Sequence, residues 1–243
     1  MSESVAILLA AGRGTRMRGI VADKILAPLA GAPVFAHSVA AFLAAGVVQR
    51  FVVVYRDAAQ RAQLARVIAR GPARDWPALW VRGGGQRHDS VARALTALAR
   101  IRGVEYVFVH DCARPLVSAG AIVAVDSAVR RDGAAGLAHR VTDTIKQVSR
   151  AAVAPRRQRL KTIDRSRLWG METPQAFKFA DLASAYRMVR RKRLAVTDDA
   201  AALELTSRVR VTLVENPEPN PKITGPADLA YAEFLLAARA SRA

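Results

Sequence analysis

Five short apolar runs, separated by segments of helical spacing, constrain the fold of this chain more than any other feature. They lie at 4–9, 51–55, 79–81, 105–109 and 134–138 and read as strands. Between them the pattern turns helical. Pro33 stands at a helix start ahead of Val34, Phe35, Val39, Phe42 and Leu43, and Gly46 marks its end. Asp89 is placed to cap a helix carrying Val91, Leu95 and Leu98, and Ser118 to cap one carrying Ile122, Val125 and Val129. Alternation of this kind predicts an α/β protein: an open, mostly parallel twisted sheet with helices on both faces, Rossmann-like in layout.

Beyond Val141 the rhythm changes. Residues 142–148 alternate in character, 160–164 alternate back, and Pro155 with a basic cluster lies between them. This predicts a protruding β-hairpin arm at about 142–168, either an ordinary surface hairpin or, given its length, a subunit clasp or lid. Helices are expected near 178–191 and 198–205, a strand near 209–214 and a last helix over 226–238. With no repeat, linker or low-complexity stretch, residues 1–243 are expected to form one domain.

Composition removes several function classes. No apolar run reaches the roughly 18 residues that span a bilayer, and the Ser2-Glu3-Ser4 start lacks the basic flank of a signal peptide. The expected compartment is the cytoplasm. Cys112 is the only cysteine, which excludes an intrachain disulfide, and the four histidines show no zinc-binding spacing. Ser90 lacks the Gly-x-Ser-x-Gly elbow of a hydrolase. A net charge of +18 raises nucleic acid as a partner, but aromatics make up only 6% and do not interleave with the basic clusters. A solvated basic surface is the expectation, with no specific nucleic acid and no membrane as partners.

In an open parallel sheet the ligand sits outside the carboxyl ends of the strands. Three predicted strands end in suggestive clusters. The first empties into Ala10-Ala11-Gly12-Arg13-Gly14-Thr15-Arg16-Met17, with Lys24 beyond. Its glycines let backbone amides approach an anion, while Arg16 and Lys24 offer charge for an oligophosphate. The loop is neither a Walker A motif, since Gly19-Ile20 stands where Gly-Lys is needed, nor a dinucleotide fingerprint, since Met17 replaces the third glycine. The third strand ends in Gly83-Gly84-Gly85, with Ser90 able to hydrogen-bond a base. The fourth ends in His110-Asp111-Cys112-Ala113-Arg114-Pro115. His110 and Asp111 are not a dyad, because strand neighbours point to opposite faces. Asp111 and Arg114 are alternatively a structural ion pair, and Cys112 a buried filler.

The series Ala10-Ala11-Gly12-x-Gly14-x-Arg16-Met17, Lys24, Gly83-Gly84-x-x-Arg87-x-x-Ser90-Val91, His110-Asp111-x-Ala113-Arg114-Pro115, Asp143-Thr144-x-Lys146, Asp164-Arg165-x-x-Leu168-Trp169, Thr173-Pro174-Gln175, Thr197-Asp198 and Lys222-Ile223-Thr224 resembles the 2-C-methyl-D-erythritol 4-phosphate cytidylyltransferases. It runs in order over nearly the whole chain. The related ribitol-5-phosphate cytidylyltransferases share it.

The resemblance implies transfer of CMP from CTP to methylerythritol phosphate with release of pyrophosphate, in non-mevalonate isoprenoid synthesis. It implies Arg16, Lys24, Arg165 and Lys222 as catalytic residues, and Ala10, Ala11, Gly12, Gly14, Gly84 and Ser90 around the nucleotide. Asp111, Arg114, Thr144 and Thr173, with Lys222, would meet the acceptor. Magnesium, or another divalent cation, would bind mainly through CTP phosphates, with Asp111 the nearby carboxylate. Arg165 on the arm would reach a neighbouring subunit's site, so a homodimer is implied. No fused second enzyme domain is expected. Ribitol 5-phosphate or another polyol phosphate is the alternative acceptor, and a nucleic-acid-binding protein on the same scaffold the remote one. Departures from the family pattern are Ile25-Leu26 after Lys24, one extra residue between Met17 and Lys24, Gly85, Cys112, Pro221 and Asp199-Ala200-Ala201.

Overall fold

A computed structural model describes residues 3–12, 14, 22–148 and 159–241. Seven strands form the central sheet: β1 (Glu3–Leu9), β4 (Arg50–Tyr55), β5 (Ala78–Arg82), β6 (Val104–Asp111), β7 (Ala134–Arg140), β10 (Trp169–Lys178) and β11 (Thr212–Glu215), in the order β11-β7-β10-β6-β1-β4-β5. The pairs β1–β4, β1–β6, β4–β5 and β7–β11 are parallel, whereas β10 runs antiparallel to both β6 and β7. Short strands β2 (Pro28–Leu29) and β3 (Ala32–Pro33) form a separate two-stranded ribbon.

Helices cover both faces, as the apolar runs require. On one side Ala6, Leu8, Phe51, Val53 and Phe108 pack with residues of α1 (Val34–Ala45), α2 (Ala58–Arg70) and α4 (Ala119–Asp132). On the other, Val5, Ile7, Val52, Val54, Val107 and Val109 pack with α3 (Arg87–Leu98), α5 (Phe179–Lys192) and α6 (Asp199–Thr206). Successive residues of each central strand thus feed opposite layers, so every residue of the run has to be apolar. The last helix, α7 (Pro226–Ala240), buries Ala232 in a smaller cluster with Leu29, Leu116 and Ile223.

Local signals set several boundaries. Gly46 closes α1 at φ 65°, a left-handed geometry that favours glycine, and Ser118 Oγ accepts from the Ala121 amide to cap α4. The Asp89 expectation needs correction. Helix α3 begins three residues earlier, with Gln86 at its cap, and the Asp89 carboxylate sits at the third helical position, accepting from the Gln86 amide at 3.1 Å. The strand expected over 209–214 is shorter and later, at Thr212–Glu215.

The arm is present at its base, where β8 (Lys146–Val148) pairs antiparallel with β9 (Leu160–Thr162), every residue exposed. A single turn of 3-10 helix, Arg165–Arg167, leads into β10. Pro155, Arg156 and Arg157 lie outside the described residues.

Candidate active site

The carboxyl ends of β1, β5 and β6 open onto a cleft of about 690 Å³, a size suited to a nucleotide-scale ligand. Its wall is strongly basic. Lys24, Arg56, Arg82, Arg87, Arg93 and Lys222 line it, and Asp111 is the single carboxylate among the described lining residues. Six cations against one anion make the cleft a receptor for a polyanion.

The first wall follows β1. Leu9, Ala11, Gly12 and Gly14 reach the cleft, while Ala10 is fully buried, its carbonyl accepting from Gln60 Nε2 at 3.0 Å. Arg16 lies outside the described residues. Lys24 is buried, yet its Nζ lies at the cleft and donates to the Ile223 carbonyl at 2.8 Å. That bond joins residues 199 positions apart and holds the ammonium of a cleft-lining lysine.

The second wall is the glycine loop after β5. Ser90 Oγ accepts from the Gly84 amide at 3.0 Å and donates to the Gln86 carbonyl at 3.3 Å, so the hydroxyl expected to meet a base also shapes the turn. The glycines are required by crowding. A Cβ on Gly84 would lie 2.2 Å from that of Asp89, and one on Gly83 2.6 Å from that of Ala11. Arg93 secures the loop from outside, Nη1 donating to the Gly83 carbonyl at 2.7 Å.

At the third wall Asp111 gathers the charges. Arg87 Nε donates to its Oδ1 at 2.9 Å, and Lys222 Nζ pairs with its Oδ2. Burial pushes the Asp111 carboxyl up, but Arg87 and Lys222 outweigh it and hold it well below the usual carboxylate range. Arg87 also reaches Asp199 Oδ2 at 2.9 Å, and Tyr186 donates its hydroxyl to Asp199 Oδ1 at 2.6 Å. Despite desolvation, these carboxylates raise the guanidinium above its ordinary value.

An Asp111–Arg114 ion pair is not what forms. Arg114 instead donates from Nη1 to the Asn220 carbonyl at 2.7 Å and from Nη2 to the Met171 carbonyl at 3.3 Å. His110 points into the core, bonded to Ser38 Oγ (3.2 Å) and Thr173 Oγ1 (3.1 Å), and burial lowers its pKa to about 4. Cys112 is fully buried, with its thiol pushed up by burial, as a filler would be.

The remaining expected residues lie around the cleft rather than along it. Thr173 is buried, its hydroxyl accepting the Asp111 amide at 3.1 Å, and so it supports the acid from behind. Thr144 and Arg165 are exposed at the arm, with the Arg165 guanidinium donating to the Thr142 carbonyl. Sequence reasoning missed Arg56, Arg82 and Arg93 as cleft residues, and Gln60, which links Ala10 to Asp23 through bonds of 3.0 and 2.7 Å. Position just after or beside β4 and β5 was the available signal for the first two.

Known proteins share the sequence and the fold. The family model described as 2-C-methyl-D-erythritol 4-phosphate cytidylyltransferase matches residues 4–238. A relative of that name from Pelotomaculum thermopropionicum is 40% identical over 242 residues, covering 100% of this chain and 98% of its own. The crystal structure of the Thermus thermophilus enzyme of that name superposes with a TM-score of 0.72 at 29% identity, over 95% of this chain and 98% of that one. A 4-diphosphocytidyl-2C-methyl-D-erythritol synthase from Anaerococcus prevotii shares the fold with a TM-score of 0.81 at 23% identity, over 97% of this chain and 99% of that one. With a family model matched over nearly its whole length and a relative 40% identical, the chain belongs to the 2-C-methyl-D-erythritol 4-phosphate cytidylyltransferase family.

Proposed function

We propose that the cleft holds CTP with its cytidine half against Ala11, Gly12, Gly84 and Ser90 and its triphosphate over Gly14 and Lys24, while the acceptor enters from the side of Asp111, Arg114 and Lys222. As a member of its family the chain transfers CMP from CTP to 2-C-methyl-D-erythritol 4-phosphate and releases pyrophosphate, in the non-mevalonate route to isoprenoids. The observation that carries the placement is a cleft lined by six cations and one carboxylate among the described residues.

The reaction joins two anions. An acceptor phosphate oxygen forms a bond to the α-phosphorus of CTP as the bond from that phosphorus to the bridging oxygen of pyrophosphate breaks. The nucleophile's second pKa is about 6, so near neutral pH it is already largely dianionic and needs no strong base. The cost is electrostatic, and fixed cations lower it. Lys24, held by the Ile223 carbonyl, is placed for the charge that builds on the leaving group. Arg16 is assigned the same duty by its place in the motif. Lys222, paired with Asp111, steadies the attacking phosphate, and Asp111 orients the acceptor's hydroxyls.

The donor set fits a divalent cation taking most of its ligands from phosphate and water. Asp111 is a lone, ionised carboxylate whose two oxygens retain unused acceptor positions beside Arg87 and Lys222. Magnesium bound there through the triphosphate would neutralise phosphoryl charge. Among the described residues no group of three or more potential metal ligands exists.

We read the chain as one nucleotidyltransferase domain that pairs with a second copy through the arm. There Thr144 and Arg165 would complete the partner's acceptor site. Val148 and Leu160, exposed at 36% and 57%, offer a small apolar patch for a second copy to cover. A cytoplasmic setting fits the one free cysteine, and no described helix is long and apolar enough to cross a membrane. The basic surface is read as solvated rather than as a nucleic-acid site.

The test is pyrophosphate release with CTP, magnesium and methylerythritol phosphate, each omitted in turn, alongside ribitol 5-phosphate and other nucleotides. Full dependence on all three components is expected. Faster turnover of ribitol 5-phosphate would reassign the acceptor.

A further inference from the structure

Glu172 is buried in the middle of β10, and its carboxylate accepts three bonds. His139 Nδ1 lies 2.8 Å from Oε1, while Asn216 Nδ2 and Asn220 Nδ2 each donate to Oε2 at 2.9 Å. These partners come from separate places. His139 stands on β7 at the foot of the arm, and Asn216 and Asn220 belong to the segment between β11 and α7 that delivers Lys222. The same segment supplies the Asn220 carbonyl that holds Arg114. Glu172 also directly precedes Thr173, which supports Asp111 through the Asp111 amide.

The His139 contact is built into the sheet. Gly170 is the cross-strand partner of His139, and a Cβ on it would lie 2.5 Å from the imidazole. Glycine there lets the ring lie flat across β10 and reach Glu172. Next along β7, Arg140 stacks on its partner Trp169 of β10 at 4.5 Å and pairs with Glu215 of β11 at 3.0 Å, so one residue at the arm's foot ties β7 to both neighbouring strands.

We propose that Glu172 is a positioning residue for the acceptor half of the reaction, its carboxylate clamping the 216–222 segment so that Lys222 meets Asp111 and the Asn220 carbonyl meets Arg114. The proposal rests on the reading that Arg114 and Lys222 face the acceptor. The bonds that shape the CTP half, those of the Gly83–Ser90 turn and of Lys24 with the Ile223 carbonyl, do not involve Glu172. Ile223 has its own anchor, its amide donating to the Ala113 carbonyl at 2.7 Å and its side chain buried against α7, so loss of the clamp acts on the acceptor side.

Gln at this position separates hydrogen bonding from bulk. Its amide oxygen takes over both asparagine donors, and its NH2 faces His139 Nδ1, which accepts when the imidazole carries its proton on Nε2. Steady-state kinetics with each substrate varied in turn form the test. Glu172→Ala is expected to raise KM for methylerythritol phosphate about tenfold or more, in line with the cost of misplacing a binding group by about 1 Å, with KM for CTP nearly unchanged. Glu172→Gln restores most of the loss.

Asn220→Ala, which keeps the carbonyl but cuts the tie to Glu172, shifts the same constant in the same direction and decides the matter where Glu172→Ala does not fold. Equal rises in both KM values, no rise, or a Gln variant as impaired as the Ala variant would overturn the proposal. Lys222→Ala serves as the control. If it too leaves the acceptor KM unchanged, the placement of the acceptor fails and the clamp with it; if it raises that KM while Glu172→Ala and Asn220→Ala do not, the clamp alone fails.

Discussion

Arg87 Nη2 lies 2.9 Å from Oδ2 of Asp199, a carboxylate with no exposed surface, and the same guanidinium holds Asp111 at the cleft. One arginine therefore carries a buried charge inward and an active-site charge outward. Removing one partner of a buried pair leaves the other desolvated and alone. Arg87→Ala should cost about 3 kcal/mol of stability in urea unfolding. Asp199→Asn, whose amide oxygen can accept from Arg87 while its NH2 donates to the Tyr186 hydroxyl oxygen, should cost clearly less. A loss under about 1 kcal/mol for Arg87→Ala would refute the dual role.

Lys24→Ala should lower kcat for pyrophosphate release by at least about a hundredfold, the scale of a deleted electrostatic stabiliser. Thermal melting should remain cooperative. Activity within tenfold of the parent protein would remove Lys24 from the transition state.

The two neighbouring glycines after β5 make opposite forecasts. At Gly84 a Cβ would sit 2.2 Å from that of Asp89, whereas at Gly85 the nearest atom is the Asp89 carboxylate at 3.8 Å. Gly84→Ala should therefore displace the turn, cost about 1–3 kcal/mol and weaken CTP binding in calorimetry. Gly85→Ala should bind CTP as the parent does. Equal behaviour of the two variants would show that crowding does not govern the loop.

His110 sets a pH dependence of stability. Its pKa falls from 6.5 to about 4 on folding because the buried ring resists charge. The unfolded chain thus binds the extra proton first as pH drops, and stability falls between pH 6.5 and 4. The full shift corresponds to about 3 kcal/mol. Asp111, whose carboxyl is depressed, adds a loss only at lower pH, below its ordinary range. Denaturant midpoints taken across that window should slope less for His110→Asn. An unchanged slope would mean the imidazole is not what titrates.

The central strands were legible because β1, β4 and β6 are buried on both faces and leave continuous apolar runs. Helix α2 was not read. Its inner stripe is only Gln60, Leu64 and Ile68, set in a stretch of arginines that registers first as a basic cluster. Strand β10 was hidden for a different reason: Glu172, Thr173 and Gln175 are buried polar groups satisfied by partners far along the chain. Periodicity reports burial of apolar groups and is silent about such pairings. In the site, motif residues on β1, β5 and β6 could be assigned to the cleft. The role of Asp111 as a hub could not, since Lys222 is 111 positions away. Nor could the cleft arginines be told from the other surface arginines.

The arm leaves β7 after Arg140 and returns at Trp169, and those two residues are direct partners across the sheet. Its two feet therefore stand side by side on paired strands. The register of β7 against β10 is set by residues outside the arm, so the intervening stretch is free to lengthen, shorten or change its tip without moving a single pair in the sheet. The reach of such an arm can change while the sheet that carries the cleft keeps its register.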